Sequence, residues 1–174
     1  MLIRKATLDD IPAIARVHVD TYQATYKGII PDRSLANQSY IKRQSSWERI
    51  FDRALDSSKF IYVAENQTKQ IIGFVHGGLE REGNLVYKGE IYAIYVLPNY
   101  QQQGVGRNLW QTAIEKLNRM GINSLIVWVL ADNSACQFYE ALKGVKIRTK
   151  QIKRGDKTLT AIAYGWSNTA SMDI

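Results

Sequence analysis

Apolar positions along this chain recur with two periods, and their alternation lays out a succession of strands and helices. Leu2 to Ala6 reads as a short strand. Thr7-Leu8-Asp9-Asp10 supplies an N-cap with acidic residues in the first turn, where the helix dipole favours them. Ile11, Ile14, Ala15, His18, Val19 and Tyr22 then repeat at helical spacing, with Pro12 tolerated near the start, until Gly28 and Pro31 close the helix. From Asp32 to Leu55 the period weakens around Leu35, Tyr40, Trp47, Ile50, Phe51 and Leu55, which predicts broken or paired helices. Phe60–Ala64 and Gln70–Val75 predict a hairpin across Asn66-Gln67-Thr68-Lys69. Gly77-Gly78 and Gly83-Asn84 predict a bend or loop before the aromatic, β-branched strand from Ile91 to Val96, which Pro98 and Asn99 end.

Val105, Leu109, Trp110, Ala113, Ile114, Leu117 and Met120 line one face of a helix capped by Gly121. Ser124 to Leu130 is a continuous apolar run, and Val127, Trp128 and Val129 predict burial on both faces. Asn133 leads into a short helix with Ala135, Phe138 and Leu142 as its apolar stripe, ended by Gly144. Val145–Lys153 and Thr158–Trp166 are strands joined at Arg154-Gly155-Asp156-Lys157. The order βαα-ββ-β-αβα-ββ predicts one mixed α/β (α+β) domain over residues 1–166, with helices covering a sheet of six to seven strands. Residues 167–174 are small and polar and are expected to form a frayed, disordered tail.

Composition narrows the partners more than the fold. The 174 residues carry a formal net charge of +7, which favours anionic partners. The basic residues are scattered, with no run longer than Lys42-Arg43 or Lys153-Arg154, so a dedicated nucleic-acid arm is not expected. The single cysteine, Cys136, rules out an internal disulfide, and it and the widely separated His18 and His76 give no metal-ligand spacing. No apolar run approaches the roughly 18 residues of a membrane span, and no long apolar stretch follows Met1–Lys5. A soluble, cytoplasmic, metal-independent domain without a signal peptide is expected. The edge strands between Val145 and Trp166 leave a homodimer open.

Between the Ile91–Val96 strand and the following helix lies Gln101-Gln102-Gln103-Gly104-Val105-Gly106-Arg107. A strand, a short loop with two glycines and a helix start form a phosphate cradle, because the first helical N–H groups lack intrahelical partners and the dipole adds positive charge. Walker A chemistry does not fit, since Arg107-Asn108 stands where Lys-Ser/Thr is needed, and a dinucleotide fingerprint lacks its third glycine at Leu109.

Gln101-x-x-Gly104-x-Gly106 on that loop, followed by Asn133-x-Ala135-x-x-Phe138-Tyr139 on the later helix, resembles the GNAT superfamily of acyl-CoA-dependent N-acyltransferases. The likeness spans about residues 2–166, with its specific part between Glu90 and Leu142. Leu142-Lys143-Gly144-Val145 departs from the Leu-Gly-Phe that often ends the family's last core helix. The resemblance implies acetyl-CoA lying across a splayed pair of parallel strands. Its diphosphate would rest on the amides of Gln102, Gln103, Gly104, Val105, Gly106 and Arg107, and its pantetheine would pair with the main chain of Ile94, Tyr95 and Val96. Asn133, Ala135, Phe138 and Tyr139 would complete the cofactor site, with no metal.

Acetyl transfer needs a deprotonated amine, a polarised thioester carbonyl and a stabilised leaving thiolate. Tyr139 is the candidate for the last role, and a phenol of ordinary pKa would protonate a thiolate only slightly uphill. Glu90, at the start of the central strand, resembles the position where some family members keep a general base, and the Val96 amide is the analogous oxyanion donor. Tyr22, Tyr26 and Trp47 lie in the region that often walls the acceptor site, Trp47 being read as core. Cys136, His18 and His76 are read as packing or surface residues. The expected reaction is attack of an unidentified primary amine on acetyl-CoA in a ternary complex. The alternative is a non-catalytic module that senses acyl-CoA or another phosphorylated ligand.

Overall fold

The computed structural model describes residues 1–53 and 58–170, so Leu55 and the tail residues 171–174 lie outside the described residues. Seven strands form one sheet in the order β1-β2-β3-β4-β5-β7-β6: β1 (Leu2–Lys5), β2 (Lys59–Glu65), β3 (Ile71–Leu79), β4 (Gly89–Val96), β5 (Leu125–Leu130), β6 (Val145–Arg154) and β7 (Lys157–Trp166). Every neighbouring pair is antiparallel except β4–β5. Helices α1 (Ile11–Tyr26), α2 (Asp32–Ala36) and α3 (Tyr40–Arg53) follow β1, while α4 (Val105–Arg119) joins β4 to β5 and α5 (Ala135–Ala141) follows β5. The weak period between Asp32 and Leu55 thus resolves into a one-turn helix and a long one.

Each face of the sheet has its own core. On one, Leu109, Trp110, Ala113, Ile114 and Leu117 of α4 pack on Ile72, Ile91, Leu125, Val127 and Trp166. On the other, Ile14, Ala15 and Val17 of α1 and Trp47 of α3 pack on Ile61, Val63, Ile71 and Phe74. Alternate positions of β2 supply the two layers, as the two-residue period requires, and an irregularity at Ile72 shifts that phase in β3, so that Ile71 and Phe74 share one layer and Ile72 and Val75 the other.

Two glycines expected to bend the chain instead sit inside β3. A Cβ on Gly78 would lie 2.3 Å from the Ser58 carbonyl oxygen, and one on Gly77 2.9 Å from that of Glu90. They are required by close backbone approach, not by a turn. Opposite them β4 carries a bulge: Ala93 pairs with His76 and Ile91 with Gly77, leaving Tyr92 as the extra residue. A bulge sharpens local twist. The β4–β5 ladder runs only through Gly89↔Leu125, Glu90↔Ile126 and Ile91↔Val127. Past the bulge the parallel strands part.

At the chain start, Asp10 is buried and accepts the Arg4 guanidinium at 2.7 and 2.8 Å and the Thr7 amide at 2.8 Å. This joins β1 to the entry of α1, and Arg4 holds the Asp10 carboxyl below the ordinary carboxylate range. At the other end, the fraying expected from Ser167 does not begin there. Thr169 is buried, donating its amide to the Asn123 carbonyl at 2.7 Å and its hydroxyl to Asn118 Oδ1 at 2.8 Å. One residue, through its amide and its hydroxyl, ties the chain at Thr169 to the end of α4 and the turn after it.

Asp10→Ala is expected to lower unfolding free energy by about 2 kcal/mol, because the half-buried Arg4 and the Thr7 amide lose their acceptor. Urea titration of both proteins reads the difference.

Candidate functional site

Parting of β4 and β5 opens a cleft of about 700 Å³ that runs from the loop before α4 to the C-terminal part of α1. Its walls include Ile94, Tyr95 and Val96 of β4, Trp128 of β5, Asn133 to Ala135 and Phe138-Tyr139 around α5, and Thr21, Thr25 and Tyr26 of α1. Gln101, Gln102, Gly104, Gly106 and Arg107 close one end.

That loop is built to leave its amides free. Gln102 and Gly104 adopt left-handed φ values of +58° and +82°, the second of which a glycine adopts without steric cost. No nitrogen from Gln102 to Arg107 donates a backbone bond to any described residue, and the helical ladder begins with Asn108 donating to Gly104 at 3.0 Å. Six consecutive N–H groups therefore lack a backbone partner, and four of their residues, Gln102, Gly104, Gly106 and Arg107, line the end of the cleft, with the helix dipole behind them. Two glutamine side chains brace the turn from outside. Gln101 Nε2 donates to the Val96 carbonyl at 2.9 Å and Gln103 Nε2 to that of Asn99 at 2.9 Å. Gln101 is thus a strand-to-loop brace as well as a motif position.

On the strand side, the Leu97 amide donates to Ile72 of β3 at 2.9 Å. Alternation then turns the Val96 N–H away from β3, toward the gap. The Val96 carbonyl is held by Gln101 and, at 3.3 Å, by the Thr21 hydroxyl. The strand edge is left with polar groups that a ligand with amides of its own would complete.

Asn133 is buried and serves two neighbours: its Oδ1 accepts the Ala135 amide at 2.9 Å, and its Nδ2 donates to the Tyr26 hydroxyl at 3.2 Å. The expected cap is present, and it also ties α5 to α1 across the cleft. Phe138 packs edge-on against Trp110, and Tyr139 lies among Trp110, Tyr164 and Trp166. The Tyr139 ring is fixed by this aromatic box, while its hydroxyl makes no hydrogen bond to another described residue. Burial raises its pKa well above the ordinary phenol value, so the hydroxyl is a donor throughout the neutral range.

Glu90 is placed differently from expectation. It is 3% exposed, outside the cleft lining, and forked by Arg81: Nη2 to Oε1 at 2.5 Å, Nε to Oε2 at 3.0 Å, with the Arg81 amide at 3.3 Å. Both Glu90 oxygens are engaged by Arg81 in a buried ion pair away from the cleft lining, so the expected role of base has no geometric support beside the cleft. The β4 bulge explains the placement, because it changes which face successive side chains take. Arg81 carried no signal of its own in a loop of mixed polarity.

His18, Trp47 and His76 form a buried cluster on the α1 face, the indole lying 5.9 and 5.5 Å from the two imidazoles. One nitrogen of each is buried without a partner among the described residues. Burial is the main cause that pushes both histidines from 6.5 down to about 3. They are neutral packing groups, as Trp47 is a core residue. Cys136 directs its thiol at the Leu130 carbonyl at 3.4 Å and has its pKa raised by burial, which leaves it no thiolate at neutral pH. Trp128, expected to be buried on both faces, is only half-buried, because the sheet opens beside it. Thr21, Thr25 and Trp128 were not singled out as site residues; the signal for the threonines was their spacing of four on the same helix as Tyr22 and Tyr26.

A bulged central strand, a parallel pair that splays, a loop of unpaired amides and a tyrosine-bearing helix together define a fold of the acetyltransferase type. Residues 23–144 match the acetyltransferase (GNAT) family. The chain belongs to that family and, with it, to the acyltransferases. It is 33% identical over 170 residues to an uncharacterized N-acetyltransferase, YuaI, of Bacillus subtilis, covering 98% of this chain and 95% of that one. It shares the fold of the PaiA N-acetyltransferase of Thermoplasma acidophilum in complex with coenzyme A (TM-score 0.70, 20% identity, covering 95% and 98% of the two chains). It also resembles YncA, a putative acetyltransferase of Salmonella typhimurium solved with acetyl-CoA (TM-score 0.71, 20% identity, covering 99% and 96%). Among the described residues no cluster of metal-ligating side chains occurs, and no helix is long and apolar enough to cross a membrane.

The depressed histidines set a stability prediction. Below about pH 6.5 the unfolded chain binds protons that the folded chain refuses until about pH 3, so stability should fall on acidification through that window and be insensitive to these groups above it. His76→Phe should take up about one proton fewer on unfolding near pH 5, read from the pH dependence of urea midpoints.

Proposed function

We propose that the chain transfers the acetyl group of acetyl-CoA to a primary amine by direct attack in a ternary complex. The observation that carries this reading is the run of free amides from Gln102 to Arg107 at one end of a cleft that Tyr139 also lines. The diphosphate rests on those amides, Arg107 adds charge beside them, and the pantetheine pairs with Ile94, Tyr95 and Val96 where β5 has left β4. Asn133, Ala135 and Phe138 line the opposite wall.

The ammonium of the acceptor first loses a proton. Its nitrogen then bonds to the acetyl carbon, the carbonyl oxygen takes charge toward the Val96 N–H, and the C–S bond breaks. Tyr139 donates to the departing sulfur, which leaves as a thiol; the new amide loses its second proton, and one proton in all goes to solvent. Because the Tyr139 pKa is raised, its help lies in hydrogen bonding to the thiolate more than in complete proton transfer. No carboxylate or imidazole of the described residues lines the cleft. Water is therefore the route we assign to the amine's first proton.

Purified protein incubated with acetyl-CoA and an amine panel should release free thiol. Saturable coenzyme A binding without thiol release from any acceptor would favour a sensor instead. Tyr139→Phe should lower kcat by about 100-fold while acetyl-CoA KM changes less than about threefold, and undiminished kcat would remove Tyr139 from the mechanism. Gly104→Val forces a β-branched residue into a left-handed φ and should weaken coenzyme A binding by about tenfold or more, read by calorimetry.

A further inference from the structure

The acceptor end of the cleft is aromatic and backed by cations. The Arg81 guanidinium carbon lies 4.2 Å from the Tyr92 ring centroid. Lys150 Nζ lies 3.9 Å and the Arg148 guanidinium carbon 5.0 Å from the Trp128 ring centroid. Tyr92 and Trp128 both line the cleft, one from each of the parted strands. Small residues on the strand between make the second contact possible. Ala163 is in register with Trp128 on one side and Arg148 on the other, and Ala161 likewise with Leu130 and Lys150. Side chains of the edge strand β6 therefore reach across β7 to the Trp128 face.

Three carboxylates accompany these three cations: Glu80, whose charge also bears on Tyr92, accepts the Glu82 and Asn84 amides at 3.0 and 2.7 Å. Glu90 is consumed by Arg81, as described. Glu82, in the loop between β3 and β4, is shared: it meets Arg148 at 2.8 Å and Lys150 at 2.6 Å. The hydrogen bond from Lys150 is the main cause that lowers the Glu82 pKa. One carboxylate serving two cations leaves Arg148, Glu82 and Lys150 together with a net positive charge, on side chains that are 47%, 47% and 40% exposed and so accessible to a ligand. Arg107, at the far end, is the one formally charged group among the described residues lining the cleft itself.

Such a surface repels a second ammonium and attracts an acid. We propose that Arg148 and Lys150 read an acid group on the acceptor, which is a small primary amine carrying a carboxylate, in the simplest case a free α-amino acid. The acceptor's carboxylate takes the place of Glu82 on the two cations, against the Trp128 ring, while its amino group enters the gap between β4 and β5. The guanidinium fork and the ammonium suit a planar carboxylate, and the half-exposed Glu82 is the group such a ligand displaces. A polyamine would have to displace the loop amides on Glu80 or the two cations on Glu82 to bind here. This inference rests on the acetyl-transfer reading and extends it to the class of acceptor.

The test is thiol release from acetyl-CoA with the proteinogenic α-amino acids, their carboxamides and spermidine as acceptors. Free acids should exceed their own amides in kcat/KM by about tenfold, the scale of one charge-assisted contact at a half-exposed site. Arg148→Gln should pull the acid-to-amide ratio toward one, chiefly through KM. Glu82→Gln should lower KM for the acids, since it frees the cations; a rise would mean that Glu82 reads an ammonium and would overturn the proposal. Amides or spermidine turning over as well as the acids would also overturn it while leaving acetyl transfer intact. Coenzyme A binding with no thiol release from any acceptor would instead sink the acetyl-transfer reading, and this inference with it.

Discussion

One extra residue in β4 sets the rest of the site. With Tyr92 bulged, the strand stays antiparallel to β3 on both sides of the bulge but holds β5 for only three residue pairs. A sheet interrupted at its centre leaves main-chain groups without partners, a state that costs free energy unless water or ligand supplies them. The opening persists because each half is secured independently. β5 is paired with β7 from Leu125 to Leu130, β4 with β3, and the α4 core around Leu109, Trp110 and Leu117 spans both halves beneath the gap. The cleft is thus a fault in hydrogen bonding held open by intact packing.

The two ends of that fault differ in kind. At the loop before α4, recognition is by backbone: free N–H groups, a left-handed Gly104 and glutamine braces that tie the turn to β4. Side-chain identity matters little there beyond permitting the turn. At the other end, the proposed recognition of the acceptor is by side chains on four elements that meet only in the folded chain: the β3–β4 loop, β4, β5 and β6. Asn133 links the two sides, because its one amide caps α5 and also holds Tyr26 of α1. Substituting it would disturb the helix carrying Tyr139 and the helix walling the acceptor at once.

What the sequence made legible follows the same division. The loop and α5 are local features in which residue type and spacing are enough, so Gln101 to Arg107 and Asn133 to Tyr139 could be placed on their elements without coordinates. Strand order in the hairpins was equally readable from alternation and turn residues. The bulge was not, because Ile91 to Val96 is apolar or aromatic throughout and shows no break in period; the only trace was the Gly77-Gly78 pair in the opposing strand, which reads as a bend. Which face Glu90 takes depends on that bulge and could not be read from the residues. Arg81, Glu82, Arg148 and Lys150 are charged residues in a loop and an exposed edge strand, and nothing local distinguishes them from a solvated surface. Thr169 was hidden for the opposite reason: one threonine with two partners fixes a stretch whose composition reads as a tail.

Charge accounting around the cleft gives the arrangement its direction. Glu90 is neutralised by Arg81, Glu82 is shared between two cations, and His18 and His76 are held neutral by burial. Of the carboxylates at the proposed acceptor end, Glu80 keeps only backbone amides as partners, while Glu82 and Glu90 are held by cations. Positive groups stand at both ends: amides and Arg107 at one, Arg148 and Lys150 at the other. A nucleotide thioester entering from the loop end brings the negative charge that the first set lacks. An amine approaching the other end is favoured only if it brings negative charge too, and it arrives at the thioester through a segment lined by Tyr26, Tyr92, Tyr95 and Trp128, where a neutral amine is tolerated better than an ammonium. The same apolar segment that discourages the charged form of the nucleophile thus selects the form that reacts.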